Sequence, residues 1–408
     1  MADKFSKNIL IAILIVTIVI DIMGLGLVFP IMPSLFFDSN AVTFGEVGGN
    51  FQNWYYSIAL ASWPLGLVLG GPILGELSDK YGRKIVLLSA VFCTSLSYML
   101  SAYAIYSGDY LLFIASRFIS GLAGGAFEIA QAAVIDISSE EEKSKNLGFI
   151  TMAASLGFII GPITTSFAAS MSISHTLPFF VAAIISLVNM LFIFIVMKKD
   201  LPKHPGLVLT IGTVYKTISF LLSDKRIRLV GVAYLLMQAA WGFYGQGIAL
   251  FLNEVYSYNT SMTGLFYAAT GLAVAICSLF FQPYIFKKIT PTKAFIIFAV
   301  ICSIGLISTA IFANIGIQWL IGVVGSASQL ICYTALLTII SSSVTDQEQG
   351  KAMGAAGAGF GMAWFLNDIM MGHLVSKSIY APLPFGGVMF IASIFMLLFA
   401  LRKRNKSS

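Results

Sequence analysis

Three carboxylic acids and one arginine sit inside stretches of sequence that are otherwise apolar: Asp21, Arg117, Glu128 and Asp368. A charge in the middle of a lipid bilayer costs at least about 2.5 kcal/mol on insertion scales, so such residues face a partner or a water-filled path. A carboxyl in those surroundings can take up and release a proton, and this is the chemistry the acids offer. At a rise of about 1.5 Å per residue, Arg117 lies about 10 Å from the outer end of its apolar stretch, while Asp21 lies near the middle of the first stretch. Those depths allow an Asp21–Arg117 pair. Two roles stay open for the same residues. Asp21, Glu128 or Asp368 carries a coupling proton, or Asp21 and Arg117 form a structural ion pair that does not titrate. Glu128 follows Arg117 by about three helical turns, and Gln131 follows Glu128 by one turn. One helix face then reads Arg117, Gly121, Gly124, Glu128, Gln131, a polar stripe whose small residues permit close packing.

A second group of side chains offers binding without reaction. Gln238, Trp241, Tyr244 and Gln246 share one apolar stretch, Gln329 and Tyr333 another, and Asn367 precedes Asp368. Gln238 and Trp241 are about one turn apart, as are Gln329 and Tyr333. Aromatic walls with a few amides suit a small amphipathic ligand. Trp54, Tyr55 and Tyr56 read instead as an interfacial belt.

A third group is a short polar loop, Gly75-Glu76-Leu77-Ser78-Asp79-Lys80-Tyr81-Gly82-Arg83-Lys84. Gly82 permits a backbone angle that other residues avoid, and Asp79 and Arg83 can pair. A plain stop-transfer cluster of charges accounts for the basic residues but not for the glycines or the acid between them. Catalytic groupings are absent from the sequence. There is no Ser/His/Asp arrangement, no metal-ligand spacing and no GxxxxGK[ST] loop for a nucleotide phosphate. Cys93, Cys277, Cys302 and Cys332 form no CxxC pattern and read as inert packing. An enzyme and an ATP-driven pump are both disfavoured. No bound cofactor is expected, with a proton gradient as the energy source.

These groups are positioned by apolar helices. The chain has 408 residues, of which 58% are hydrophobic and only 10% charged, with a mean hydropathy of +0.89. A soluble domain carries about 25% charged residues. Stretches of about 20 apolar residues span a bilayer as helices, because every backbone polar group must be paired within the segment. Breakers and charges place twelve spans at 8–36, 51–78, 85–106, 110–137, 146–170, 176–197, 228–252, 263–287, 293–313, 317–343, 351–376 and 383–401. The first is not read as a signal peptide, because equivalent stretches continue to Leu401.

Of the 24 basic residues, only Lys377 falls in one set of loops and only Arg117 inside a span. This bias places both termini in the cytoplasm. It also explains the net charge of +6 as helix orientation and contact with anionic lipid, without any nucleic acid partner. The longest hydrophilic stretch, 198–227, contains Pro202 and Pro205 and an amphipathic run from Thr210 to Leu222 suited to a membrane surface. It divides the chain into an N-terminal six-helix bundle, 1–197, and a C-terminal one, 228–408. The fold class expected is an all-α membrane protein of twelve transmembrane helices in two six-helix bundles.

The loop at Gly75–Lys84 resembles the G-x-L-[AS]-D-[RK]-x-G-R-[RK] signature of the major facilitator superfamily at every position. More specifically, the chain looks like the drug/proton antiporters related to tetracycline exporters. The run from Asp21 through Gly24, Gly26 and Pro30 to Pro33 is similar to that group's first-helix pattern, and Arg117 to Gly121 to its R-x-x-x-G element. Gly148, Gly157, Gly161 and Pro162 have the spacing of its antiporter motif. Four departures stand out. Thr165 and Ser166 replace the motif's final glycines, the second half lacks a clear copy of the loop, span eight has no histidine, and span eleven carries Asn367-Asp368.

The resemblance implies a gating latch, in which Asp79 sits near the start of span eleven and Arg83 bridges Asp79 to Asp136. It also implies a proton-coupled secondary transporter that works by alternating access in a bacterial inner membrane. Efflux of a small amphipathic compound by proton antiport is the leading expectation, with the chain a monomer. Transport of a polar metabolite such as a siderophore, carboxylate or amino acid is the alternative. A non-transporting receptor or membrane chaperone is a third reading.

Overall fold

The computed structural model describes residues 2–37, 43–44, 51–171, 174–198, 212–312, 314–345 and 348–407. Pro202, His204 and Pro205 of the linker, and the first two residues of the run expected from Thr210, lie outside them. Among the described residues every regular element is a helix. In chain order these are α1 (Ala2–Val28), α2 (Met32–Phe37), α3 (Gln52–Tyr81), α4 (Arg83–Ser107), α5 (Tyr110–Ala123), α6 (Ala126–Asp136), α7 (Glu140–Ser170) and α8 (Leu177–Val196). There follow α9 (Gly212–Ser223), α10 (Arg228–Tyr256), α11 (Thr260–Ile276), α12 (Gln282–Lys288), α13 (Pro291–Ile311), α14 (Ile315–Ser341), α15 (Gln349–Lys377) and α16 (Pro382–Ser407).

Three expected spans are each built from two helices, and each break has a local cause. The first span stops at Val28 and restarts at Met32. Pro30 cannot donate a helical hydrogen bond and its ring disfavours helix in the residue before it. The fourth breaks at Gly124-Gly125, between α5 and α6. The eighth passes through a π-helical turn at Cys277–Phe281, which ends two residues before Pro283, a widened turn that fits a residue without an N–H. Among the described residues, eleven helical spans are long and apolar enough to cross a membrane, by length and composition alone. The twelfth is α15, long enough at 29 residues but built on glycine, alanine and the Asn367-Asp368 pair.

Helix starts follow from their first residues. Asp109 accepts the Leu112 N–H at 3.0 Å ahead of α5. Asn314 accepts the Gly316 N–H at 2.8 Å ahead of α14. Gly82, with φ of 95°, makes the one-residue turn between α3 and α4.

The chain forms two compact units. The first comprises Met1–Gly49, Ser62–Thr213 and Asn259–Ala268. Its core gathers Leu14 and Ile18 of α1, Leu87 of α4, and Ala130 and Val134 of α6. α1 is tied to α8 by Asn189, which donates to Thr17 at 2.8 Å, and to α7 by the Lys7–Glu142 ion pair. The start of α11 is seated in this unit. Thr260 bonds Ser34 at 3.1 Å, Ser166 donates to the Ser261 carbonyl at 2.7 Å, and the Phe29 and Tyr267 rings lie 5.6 Å apart.

The second unit comprises Asn50–Ala61, Val214–Tyr258 and Ala269–Ser408. α10 is largely buried within it, and Ser393 of α16 donates to the Ala233 carbonyl at 2.6 Å. The start of α3 is seated against α15. A Cβ on Gly372 would stand 2.7 Å from the Ser57 Oγ and 3.0 Å from the Asn53 carbonyl oxygen. The amphipathic run forms α9 as expected, but its apolar face docks on protein. Phe220 and Leu221 are buried, with Leu221 against Gly231 and Gly359 and Lys351 above the Phe220 ring.

Candidate functional site

In the first unit the break at Gly124-Gly125 creates a helix start inside a span. The first N–H groups of α6 have no partner within their own helix, and a helix start attracts negative charge. Asp21 of α1 occupies this position. Its carboxyl faces the Phe127 N–H and the Glu128 carboxylate. Asp21 is half-buried, Glu128 exposed and Gln131 half-buried, all on mid-span helices.

Arg117 does not join this group, and the expected Asp21–Arg117 ion pair is not formed. Arg117 is only 4% exposed and one of its terminal nitrogens has no hydrogen-bond partner. Tyr98 of α4 lies within electrostatic reach of both Asp21 and Arg117, and its hydroxyl donates to the Ile20 carbonyl at 3.4 Å. The continuous stripe from Arg117 to Gln131 is also broken. The two glycines end α5 before α6 begins, so Arg117 is buried while Glu128 is exposed. Gly121 has a packing role: a Cβ there would stand 2.0 Å from the Trp63 carbonyl oxygen of α3.

The polar loop closes around Arg83. It bonds Ser78 at 2.6 Å, Asp79 at 3.0 Å and Asp136 at the end of α6 at 3.2 Å. The neighbouring Lys84 donates to the Phe194 carbonyl near the end of α8 at 2.7 Å. One turn thus joins the ends of four helices. Gly75 has open space where a side chain would stand.

The antiporter-like motif divides in two. A Cβ on Gly157 would lie 2.7 Å from the Val19 carbonyl oxygen, one on Gly161 2.5 Å from that of Met23, and Pro162 packs on Gly26. These three residues let α7 lie directly on α1. Gly148 faces open space. Thr165 and Ser166, which replace the expected glycines, act as donors. Thr165 reaches the Leu27 carbonyl at 3.0 Å and Ser166 the Ser261 carbonyl.

In the second unit the binding candidates converge. Gln329 of α14 donates to Gln238 of α10 at 3.5 Å, and Gln238 reaches the Tyr234 hydroxyl at 3.5 Å. The Tyr234 and Tyr333 rings are 6.2 Å apart. Trp241 stacks on Tyr244 at 4.9 Å and borders Gly325. Asn367 packs on Gly242 and donates to Asp368 at 3.1 Å. Asp368 is wholly buried, and Gln246 and Tyr56 reach it from α10 and α3. It therefore belongs to a different unit from Asp21 and Glu128.

This arrangement is a bundle of long apolar helices that carry acids within their spans. The chain matches the Major Facilitator Superfamily model over residues 14–367 and belongs to that family of membrane transporters. It is similar to the tetracycline resistance protein, class H, of Pasteurella multocida, at 27% identity over 387 residues, 92% of this chain and 90% of that one. It is 25% identical over 392 residues to the quinolone resistance protein NorA of Staphylococcus aureus, covering 94% of each. Among solved structures, the xylose transporter XylE from E. coli gives a TM-score of 0.76 at 15% identity, covering 96% of this chain and 97% of that one. The human organic anion transporter MFSD10 (TETRAN) gives 0.73 at 17%, covering 96% and 99%. At those identities the solved structures establish the fold.

Sequence reading did not assign roles to Tyr98 or to the Phe127 N–H, and it placed Tyr56 in an interfacial belt. The Gly124-Gly125 doublet was a signal for the first two, because it marks a helix break beside Glu128. Tyr56 carried none, since its contact with α15 depends on packing between distant segments.

Proposed function

We propose that this chain is a proton-coupled secondary transporter that exports a small amphipathic compound by proton antiport and alternating access. The observation that carries the reading is the Asp21–Glu128 pair at the start of α6, in a family of transporters. One proton shared by two such acids can be exchanged for substrate, because the two carboxylates are favoured together only when something positive lies between or beside them. The Gln238–Gln329–Tyr333 cluster and Trp241 supply hydrogen bonds and aromatic surface for the compound, and Asn367 borders them. The Arg83 turn acts as the latch. Full-length similarity to two bacterial drug-resistance proteins supports the export direction.

The reading includes a monomer in the bacterial inner membrane with both termini cytoplasmic, bundles at 1–197 and 228–408 joined by 198–227, and a proton gradient in place of a cofactor. The buried amides and Arg117 favour a second reading, a polar metabolite as the cargo. Purified protein in liposomes, with an imposed pH gradient and a panel of cationic dyes, antibiotics, carboxylates and amino acids, tests both. Dye or antibiotic accumulation that follows the gradient supports export of amphipathic compounds. Movement of only carboxylates or amino acids replaces it with the second reading, and movement of nothing under any gradient removes transport altogether.

A further inference from the structure

Asp368 stands apart from the acid pair and has surroundings that call for their own account. It is 0% exposed, and one oxygen accepts from the Asn367 amide at 3.1 Å while the other has no partner. The Asn367 Oδ1 and the Gln246 Oε1 are likewise buried without donors. Tyr56, 1% exposed, lies within electrostatic reach of it from the first turns of α3. Those turns are held on α15 by the close approach of Ser57 and Asn53 to Gly372, and by Trp54, whose ring lies 6.4 Å from that of His373.

Among the described residues no cation faces the acid. From α3 the titratable neighbour is Tyr56, and from α10 the neighbour is the uncharged Gln246. His373 and Lys377 lie further along α15 and are exposed, as is Glu254 about two turns beyond Gln246.

We propose that Asp368 is a second proton site, and that its proton holds the start of α3 against α15. A protonated carboxyl is neutral and brings one donor into a cluster that has acceptors to spare. Loss of that proton leaves a buried negative charge with no cation, a state that must be hydrated or paired. Tyr56 is the cover, so water reaches the carboxylate when the first turns of α3 leave α15. Tyr56 and Gln246 are positioning residues in this device. The inference goes beyond the transport reading, because it assigns a conformational role to a proton bound away from Asp21 and Glu128.

The test is a cysteine pair, Trp54→Cys with His373→Cys, with the four native cysteines replaced by alanine. The second substitution also removes the nearby imidazole. Crosslinking by a short bis-maleimide is measured in liposomes against pH. The yield is expected to fall by about tenfold between pH of about 5 and about 9 as one proton is lost. Thiol reactivity and maleimide hydrolysis both rise with pH, so the fall is read as the difference from Asp368→Asn measured with the same reagent. With Asp368→Asn the yield stays high at every pH. A flat wild-type profile, or a fall that survives Asp368→Asn, overturns the proposal. So does a profile that follows sodium or potassium at fixed pH, which makes a metal cation the ligand.

Should the Asp368→Asn protein not accumulate, backbone hydrogen exchange over 51–61 in the unaltered chain decides. A pH-dependent rise beyond the intrinsic base-catalysed one supports the lock, and its absence removes it. Asp21→Asn with Glu128→Gln abolishes gradient-driven transport if the transport reading holds and leaves this crosslinking profile in place, so the two failures are distinguishable.

Discussion

Asp21 and Glu128 face one another across the contact between α1 and α6, with the Phe127 N–H directed at the Asp21 carboxyl. Two acids at one helix start share its attraction for negative charge and repel each other. On the proposed reading one proton is exchanged between the two, so removing either acid removes that exchange. Asp21→Asn and Glu128→Gln are each expected to cut gradient-driven substrate flux by about tenfold or more, and the double variant is expected to be no worse than the poorer single one. Downhill exchange of substrate persists. Uptake into liposomes, with and without the gradient, separates the two activities. Full coupling in both single variants would dismiss the pair as the proton carrier.

The contact between α7 and α1 gives a sharper test of which motif glycines matter. Gly157 and Gly161 leave no room for a side chain against the Val19 and Met23 carbonyls, whereas Gly148 faces open space. Gly157→Leu and Gly161→Val are therefore expected to lower the folded yield and the melting temperature, with overpacking costs of about 1–3 kcal/mol each. Gly148→Val is expected to leave both unchanged. Size-exclusion profiles and thermal melts in detergent read the difference, and equal sensitivity at all three positions would contradict the packing.

Much of this was legible in the sequence because lipid imposes simple rules. Span lengths, the polar loop and the isolated acids follow from the need to pair every backbone group and to justify every buried charge. The partners of those acids were less legible. Depth along a helix allowed an Asp21–Arg117 pair, but depth does not fix rotation, and the break at Gly124-Gly125 placed Glu128 opposite Asp21 instead. Tyr98 then took the position beside Arg117. The amides were legible only as separate residues on two spans, because their assembly through Tyr234 depends on how α10 and α14 meet. Thr165 and Ser166 read as departures from a glycine pattern, yet each makes a specific hydrogen bond.

Arg83 binds Ser78, Asp79 and Asp136 with different nitrogens of one planar group. Lysine cannot reproduce that fork. The Asp79 and Asp136 side chains are 37% and 33% exposed, so the ion pairs contribute less than about 1 kcal/mol to stability. Arg83→Lys and Arg83→Ala are therefore expected to change the melting temperature little and to slow transport several-fold. A large loss of stability with transport intact would make the cluster a structural tie and end its role as a latch.

Asp224, Arg226 and Glu348 form a clasp at the approach to α10 and α15. Arg226 bonds Asp224 at 2.6 Å and Glu348 at 2.9 Å. The Arg226 hydrogen bond, aided by Thr345, lowers the Glu348 pKa from 4.5 to about 2, and Arg226 also lowers that of Asp224. A carboxyl with a depressed folded pKa stabilises the fold above its unfolded pKa and loses that contribution as pH falls toward its folded one. The difference in melting temperature between the unaltered chain and Arg226→Ala is thus expected to be constant from neutral pH down to about 5 and to shrink toward about 2. Melts across that range check it. A difference that grows on acidification would reverse the sign and refute the clasp.

A Cβ on Gly24 would stand 1.7 Å from the Tyr98 hydroxyl oxygen and 2.7 Å from the ring carbon that carries it. Gly24 is thus the reason Tyr98 can lie along α1 with its hydroxyl near the Ile20 carbonyl, within reach of Asp21 and Arg117. Gly24→Ala is expected to displace the tyrosine, lower the melting temperature and reduce gradient-driven flux together. Tyr98→Phe removes the nearest atom in conflict but keeps the ring carbon at 2.7 Å, which must still shift. Added to Gly24→Ala, it should restore part of the lost stability, a coupling of about 0.5–3 kcal/mol for residues in contact. Flux should remain reduced, because the hydroxyl beside Asp21 and Arg117 is still missing. Additive losses in the double variant would show that Gly24 and Tyr98 do not meet, and full recovery of flux would show that the hydroxyl has no part in transport.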